Sequence, residues 1–213
     1  MKKCYEQGVP TIDEARLLLK EAEDLFPGPW VQHSLWTAQA AKLISENYEE
    51  LNPDVAYVLG MLHDIGRRNG LPKGVTTIGH LLGGYNYSKK LGYDFLAKIC
   101  ITHSCPSKSI NDIEEVVNKS CSHEDYKFVE AFFNKLKYTE YDKLIQLCDA
   151  LALPDGFTLI EKRLIDVALR YGVNEYNVPK WKAFIELKNY FEEKIGKSVY
   201  SILPGVIENT FKL

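Results

Sequence analysis

No stretch of the chain reaches the ~18 consecutive apolar residues that a bilayer span requires, so no membrane partner is expected. The first residues, Met-Lys-Lys-Cys-Tyr-Glu-Gln-Gly, begin basic but lack the apolar segment of a secretory leader. The five cysteines (Cys4, Cys100, Cys105, Cys121 and Cys148) form an odd set without a Cys-x-x-Cys pair. They read as reduced thiols, and the cytoplasm is the expected compartment. Cys105, Cys121 and His123 fit no common zinc spacing, and His123 reads as an exposed residue near a helix start. A basic excess is also missing: the net charge is -3 and the pI is near 6.0, which speaks against a nucleic-acid polymer as partner. A local basic pocket for a phosphate remains compatible with that balance. Sustained apolar–polar alternation, internal repeats and low-complexity tracts are absent as well, which removes the β architectures and the repeat arrays.

What remains is helical periodicity in 213 residues, 46% of them hydrophobic and 26% charged, enough for one domain with a sizeable core. Thr11-Ile-Asp-Glu14 forms a capping box that opens a helix to about Phe26, and Pro27-Gly-Pro29 forces a turn. A second helix is predicted from about Trp30 to Tyr48, with His33 near its first turn. Asn52-Pro53 supplies an N-cap and N1 pair for a third, almost continuously apolar helix over Asp54–Leu62. Residues 66–76 form a flexible, locally positive loop. A fourth helix from near Thr77 carries His80, and a fifth runs from Asp94 to His103. Gly83 and Gly84 inside the fourth helix each cost about 1 kcal/mol relative to Ala. Their compensation is close backbone approach, to a neighbouring helix or to a substrate. Further helices are predicted over Ser122–Lys137, Glu140–Leu151, Thr158–Tyr171 and Pro179–Ile195, with Thr158-Leu-Ile-Glu161 as another capping box. The fold class is all-α, a single domain over 1–213. Pro154-Asp-Gly156 marks the break before a helical extension at about 158–213.

Residues 63 and 64 carry the chemistry. His63-Asp64 closes the apolar helix, and burying a carboxylate beside an imidazole is costly unless its charge is compensated. A metal ion uses both side chains at once. The other histidines strengthen that reading, because His33, His63, His80 and His103 fall on four successive predicted helices. Asp149 follows in the apolar Leu144-Ile-Gln-Leu-Cys-Asp-Ala-Leu151. Each residue alone reads as an ordinary core or surface group, and His80 and His103 remain open to a core role beside a mononuclear site. Imidazoles and carboxylates suit Fe, Mn, Zn, Co or Ni rather than Ca. On a helix, His63 and Asp64 project about 100° apart and address one side of a cleft.

His33, then His63-Asp64, then Asp149 resembles the HD-domain superfamily of metal-dependent phosphohydrolases over roughly residues 30–151. His80 and His103 resemble the two added histidines of its binuclear subset. Gly79-His-Leu-Leu-Gly-Gly-Tyr85 and Ile101-Thr-His-Ser104 are similar to their surroundings in bacterial symmetrical dinucleoside tetraphosphate hydrolases. The resemblance implies an all-helical HD bundle with two divalent transition metal ions. The first ion would take His33, His63, Asp64 and Asp149; the second would take Asp64, His80 and His103, with Asp64 bridging. The implied activity is hydrolysis of a nucleotide or other small phosphate ester by a metal-bridging hydroxide. Arg67, one turn beyond Asp64 if the helix persists, is a candidate catalytic and phosphate-binding cation, or else a solvated helix-end charge. Arg68 and Lys73 are further substrate-binding candidates. The same ligand pattern also resembles di-iron HD oxygenases acting on small polar or phosphonate substrates, and a ligand-sensing module with structural metals is a third reading. The apolar face of the C-terminal helices, including Trp181, Phe184 and Phe191, reads as core packing, with a homodimer interface as its alternative.

Overall fold

The computed structural model describes residues 8–70, 77–113 and 121–213. Lys73, Cys4 and the second half of the basic loop fall outside them. The architecture is all-α: α1 (Ile12–Leu25), α2 (Pro29–Ser45), α3 (Pro53–Leu62), α4 (Thr77–Lys90), α5 (Asp94–Thr102), α6 (His123–Lys135) and α7 (Glu140–Leu151) precede a two-residue antiparallel ladder. In that ladder β1 (Ala152–Leu153) pairs with β2 (Gly156–Phe157) around the Pro154-Asp155 turn, so the expected break is a tight hairpin. Helices α8 (Ile160–Tyr171), α9 (Asn177–Ile195), α10 (Val199–Ile202) and α11 (Val206–Phe211) follow.

Local chemistry explains most of the helix starts. The Thr11 capping box is made in full, with the Thr11 side chain accepting from Glu14 N and Glu14 reaching back to Thr11 N. Asn52 Oδ1 accepts from Asp54 N at 2.9 Å and from Val55 N at 3.4 Å, which satisfies two orphan donors of α3. Thr139 and Asp142 make a further box at α7. At α8 the expected box does not form. The N-cap is Leu159, Thr158 is buried, and the free N–H groups go elsewhere: Leu159 N donates to Thr210 Oγ1 at 2.9 Å and Ile160 N to the Tyr200 hydroxyl at 3.1 Å. Glu161 accepts from that same hydroxyl instead of reaching back to the helix start. Tertiary contacts from the last two helices have replaced the local cap.

The core forms where small residues let backbones approach. A Cβ at Gly60 would lie 2.7 Å from Ala38 Cα, so α3 lies directly on the alanine-rich face of α2, where Ala38, Ala40 and Ala41 are fully buried. Added at Gly66, a Cβ would overlap the His80 carbonyl oxygen and the Gly84 nitrogen. One at Gly84 would meet Cys100 at 2.9 Å. The expected compensation for Gly83 and Gly84 is therefore packing of α4 against the neighbouring chain, not against a substrate. Phe184, Phe191, Val199, Leu203 and Val206 join the same apolar cluster as Ile44, Leu59, Leu144 and Leu151, so the C-terminal helices share the core of the preceding ones.

Candidate metal centre

The six sequence-predicted ligands meet at one place. His33 comes from the first turns of α2, His63 and Asp64 from the end of α3, His80 from α4, His103 from the end of α5 and Asp149 from the last turn of α7. Helix α3 stops at Leu62. Asp64 leaves the helical region (φ -100, ψ 15) and the chain tightens into a 3-10 turn over Ile65–Asn69. The expected helical continuation to Arg67 is thus replaced by a geometry with three residues per turn, which stacks Arg67 directly over Asp64. Arg67 Nε donates to Asp64 Oδ2 at 2.5 Å.

The candidate ligand atoms crowd together, and two of them, His63 Nε2 and Asp64 Oδ1, have no hydrogen bond. Asp64 Oδ1 lies 3.1 Å from His80 Nε2 and 3.5 Å from His103 Nε2, while Asp64 Oδ2 lies 3.9 Å from His63 Nε2. His63 Nε2 is 3.7 Å from Asp149 Oδ1, and His33 Nε2 is 2.8 Å from the same oxygen. Three overlapping trios each bring their ligand atoms within 4.8 Å of one another: His33–His63–Asp64, His63–His103–Asp149 and Asp64–His80–His103. Asp64 belongs to two of them, one through each side.

The second nitrogen of three rings is already committed. His33 Nδ1 faces Ala152 O at 3.2 Å, His63 Nδ1 faces Gly60 O at 2.7 Å, and His103 Nδ1 faces Ile99 O at 3.3 Å. A backbone carbonyl can only accept, so each Nδ1 carries the proton and each neutral ring turns its Nε2 lone pair into the centre. Those lone pairs then confront carboxylate oxygens and one another. His63 Nε2 and Asp64 Oδ1 are both buried without a hydrogen bond, and His80 Nε2 and His103 Nε2 stand 3.3 Å apart. Buried acceptors facing acceptors are unstable unless a cation or a proton lies between them. Nitrogen and carboxylate donors in this number suit a divalent transition metal, so the residues fit the group.

The electrostatics point the same way. Burial alone would push the Asp64 carboxyl up, but Arg67, His80 and His63 outweigh it and hold it well below the usual carboxylate range. Asp149 is likewise held low against its burial by the neighbouring His33 and His63. For His63, burial opposes protonation, yet Asp64 and Asp149 leave its pKa raised. Burial lowers His80 to about 4. The thiols near the site are inert acids: burial pushes Cys100 up to about 12 and Cys148 well above its ordinary value.

Beside Asp149 opens a cavity of about 190 Å³, bounded by Ala150 of α7 and by residues of α8 and α9. Among the described residues, Arg163 and Lys180 are the cations in its wall; Trp181, Phe184 and Tyr171 supply aromatic surface. Burial depresses the Arg163 pKa, with Asp149 opposing. Sequence reasoning missed Arg163 and Lys180, since a cation on an amphipathic helix reads as solvated. The basic residues it did select are placed otherwise. Arg67 is engaged by Asp64, the Arg68 guanidinium stacks 3.8 Å over the Tyr87 ring, and neither lines the cavity. Lys73 lies outside the described residues. His123 opens α6 as an exposed residue, apart from the cluster.

No curated protein and no solved structure matches the chain. The profile of the HD domain family matches residues 30–153, a span that begins just before His33 and ends just after Asp149. It covers more than half of the sequence and every one of the six converging side chains, so the chain belongs to the HD domain family, whose general function is metal-dependent hydrolysis.

Proposed function

We propose that this centre holds two divalent transition metal ions and hydrolyses the phosphate ester of a small molecule, with nucleotides in the substrate class. The observation that carries the reading is the convergence of unbonded, buried His63 Nε2 and Asp64 Oδ1 with four further ligand side chains. His33, His63, Asp64 and Asp149 would hold one ion; Asp64, His80 and His103 would hold the other. The two oxygens of Asp64 already face different histidines, Oδ1 toward His80 and His103 and Oδ2 toward His63, as a bridging carboxylate requires. When bound, such ions supply Lewis acidity at a phosphoryl oxygen and lower the pKa of water.

The protein's own groups do the rest. The carbonyls of Ala152, Gly60 and Ile99 fix the rings of His33, His63 and His103 in the ligating tautomer. Arg67 holds Asp64 in place through Oδ2. Cys100 and Cys148, kept protonated, offer no competing nucleophile. The cationic wall beside Asp149 favours an anionic substrate.

The test is elemental analysis of the purified protein, followed by a phosphomonoester and nucleotide panel with Mn, Fe, Co and Ni. About two ions per chain and release of inorganic phosphate are expected. Oxygen consumption without phosphate release would replace the hydrolytic reading by the oxidative one.

A further inference from the structure

We propose that Arg163 anchors the anionic group of the substrate, and that this substrate is a compact phosphate monoester whose organic part is a single ring or a short chain. The proposal rests on the hydrolytic reading above for its reaction, but on the cavity for its specificity. The cavity has two cations with different commitments. Lys180 Nζ donates to the Asp112 carbonyl at 2.8 Å and so ties α9 to the segment after α5. The Arg163 guanidinium makes no hydrogen bond or salt bridge among the described residues, although the side chain is only partly exposed. A half-buried guanidinium without a partner is incomplete, because its planar fork is built to bind an oxyanion through two parallel hydrogen bonds.

Its position gives that oxyanion a purpose. Arg163 and Asp149 line the same cavity, and Asp149 is one of the six converging side chains. Asp149 and Tyr171 are also electrostatic neighbours shared by Arg163 and Arg67. Arg67, however, is committed to Asp64 and does not line the cavity. Arg163 is left as the group able to orient a phosphoryl oxygen beside the centre.

Size and lining set the other half of the substrate. A cavity of about 190 Å³ falls below the ~300–1,000 Å³ usual for drug-sized ligands. Trp181 and Phe184 offer a flat apolar surface for one ring, and Asn111, Asn174 and Asn177 offer polar edges. A dinucleotide would have to extend well beyond those walls.

The experiment uses the full chain loaded with Mn and follows inorganic phosphate by calorimetry in wild type, Arg163→Gln and Arg163→Lys. Wild type is expected to bind phosphate. Arg163→Gln is expected to weaken it at least tenfold with Mn stoichiometry unchanged, and Arg163→Lys at least threefold, because an ammonium cannot reproduce the fork. Unchanged phosphate affinity in Arg163→Gln, or no phosphate binding by wild type, overturns the proposal. Circular dichroism checks folding; should Arg163→Gln not fold, Arg163→Lys decides, and wild-type affinity there overturns it. Phenyl phosphate, whose organic part is one ring, is expected to displace phosphate more effectively than adenosine monophosphate or diadenosine tetraphosphate, and the reverse order overturns the size limit. Arg163-dependent phosphate binding without turnover of any phosphomonoester supports the anchor and removes only the hydrolytic reading. Turnover that is indifferent to Arg163→Gln removes only the anchor.

Discussion

Asp64 is asked to satisfy more neighbours than any other residue of the centre. One oxygen faces His80 and His103, the other faces His63 and accepts from Arg67. An amide at this position keeps the shape but removes the charge that Arg67 and any bound cation need. Asp64→Asn is therefore expected to fall below one metal ion per chain by elemental analysis. Phosphate release should drop at least about 100-fold, which corresponds to roughly 3 kcal/mol of lost transition-state stabilisation. Normal metal content with normal turnover in that variant would show that Asp64 is a buried structural acid held by Arg67. The His63-Asp64 pair was legible in the sequence because a carboxylate closing an apolar helix demands compensation. The hold of Arg67 on Asp64 was less so, since it depends on the helix ending at Leu62 and tightening into a 3-10 turn.

At the scale of elements, glycines rather than large side chains set the distances between the histidines. The 3-10 turn that follows Asp64 lies against α4 so closely that Gly66 has no room for a Cβ beside the backbone of His80 and Gly84. Because the obstruction is backbone, neither side can yield by a rotamer change. Gly66→Ala is expected to cost at least about 1–3 kcal/mol in urea denaturation. It should also reduce metal stoichiometry, since His80 is carried on the displaced helix. A contrasting change is Asn52→Ala at the start of α3, far from the ligands. Loss of its cap to Asp54 N and Val55 N is expected to cost about 1 kcal/mol while leaving metal content unchanged. Local signals of this kind were readable wherever the partner lay within three residues, as at Thr11 and Asn52. They failed at Thr158, where Thr210 and Tyr200, distant in sequence, take the free N–H groups of the helix start.

Over the whole molecule, the family match ends at residue 153, but most of the wall of the cavity beside Asp149 comes from α8, α9 and the turn between them. Arg163 and Lys180 were not legible because nothing in a linear amphipathic pattern says which cation will face a neighbouring helix rather than water. The docking of α8 through Ile160 and Leu164, and of α9 through Phe184 and Phe191, onto the shared core turns them inward. The same assembly would make metal binding a property of the folded chain, since the six candidate ligands come from five helices and do not meet in the unfolded one. Metal at about 100 times its dissociation constant should then add about 2.7 kcal/mol. For a chain of this size that amounts to roughly 5–10 °C in melting temperature, lost on chelation. The gap should depend on pH with a definite sign. In the metal-free protein the raised pKa of His63 contributes stability that is full below its unfolded value and lost as pH rises through its folded value. His80, lowered to about 4 by burial, works oppositely, costing stability as pH falls from its unfolded value toward 4. Metal requires both rings neutral, and proton competition therefore weakens binding in acid. The difference between metal-loaded and chelated melting temperatures is expected to widen from pH 6 to pH 8 in thermal scans. A difference that is constant across this range would mean that the ion is held without displacing a proton from the histidines, and would place it outside this cluster.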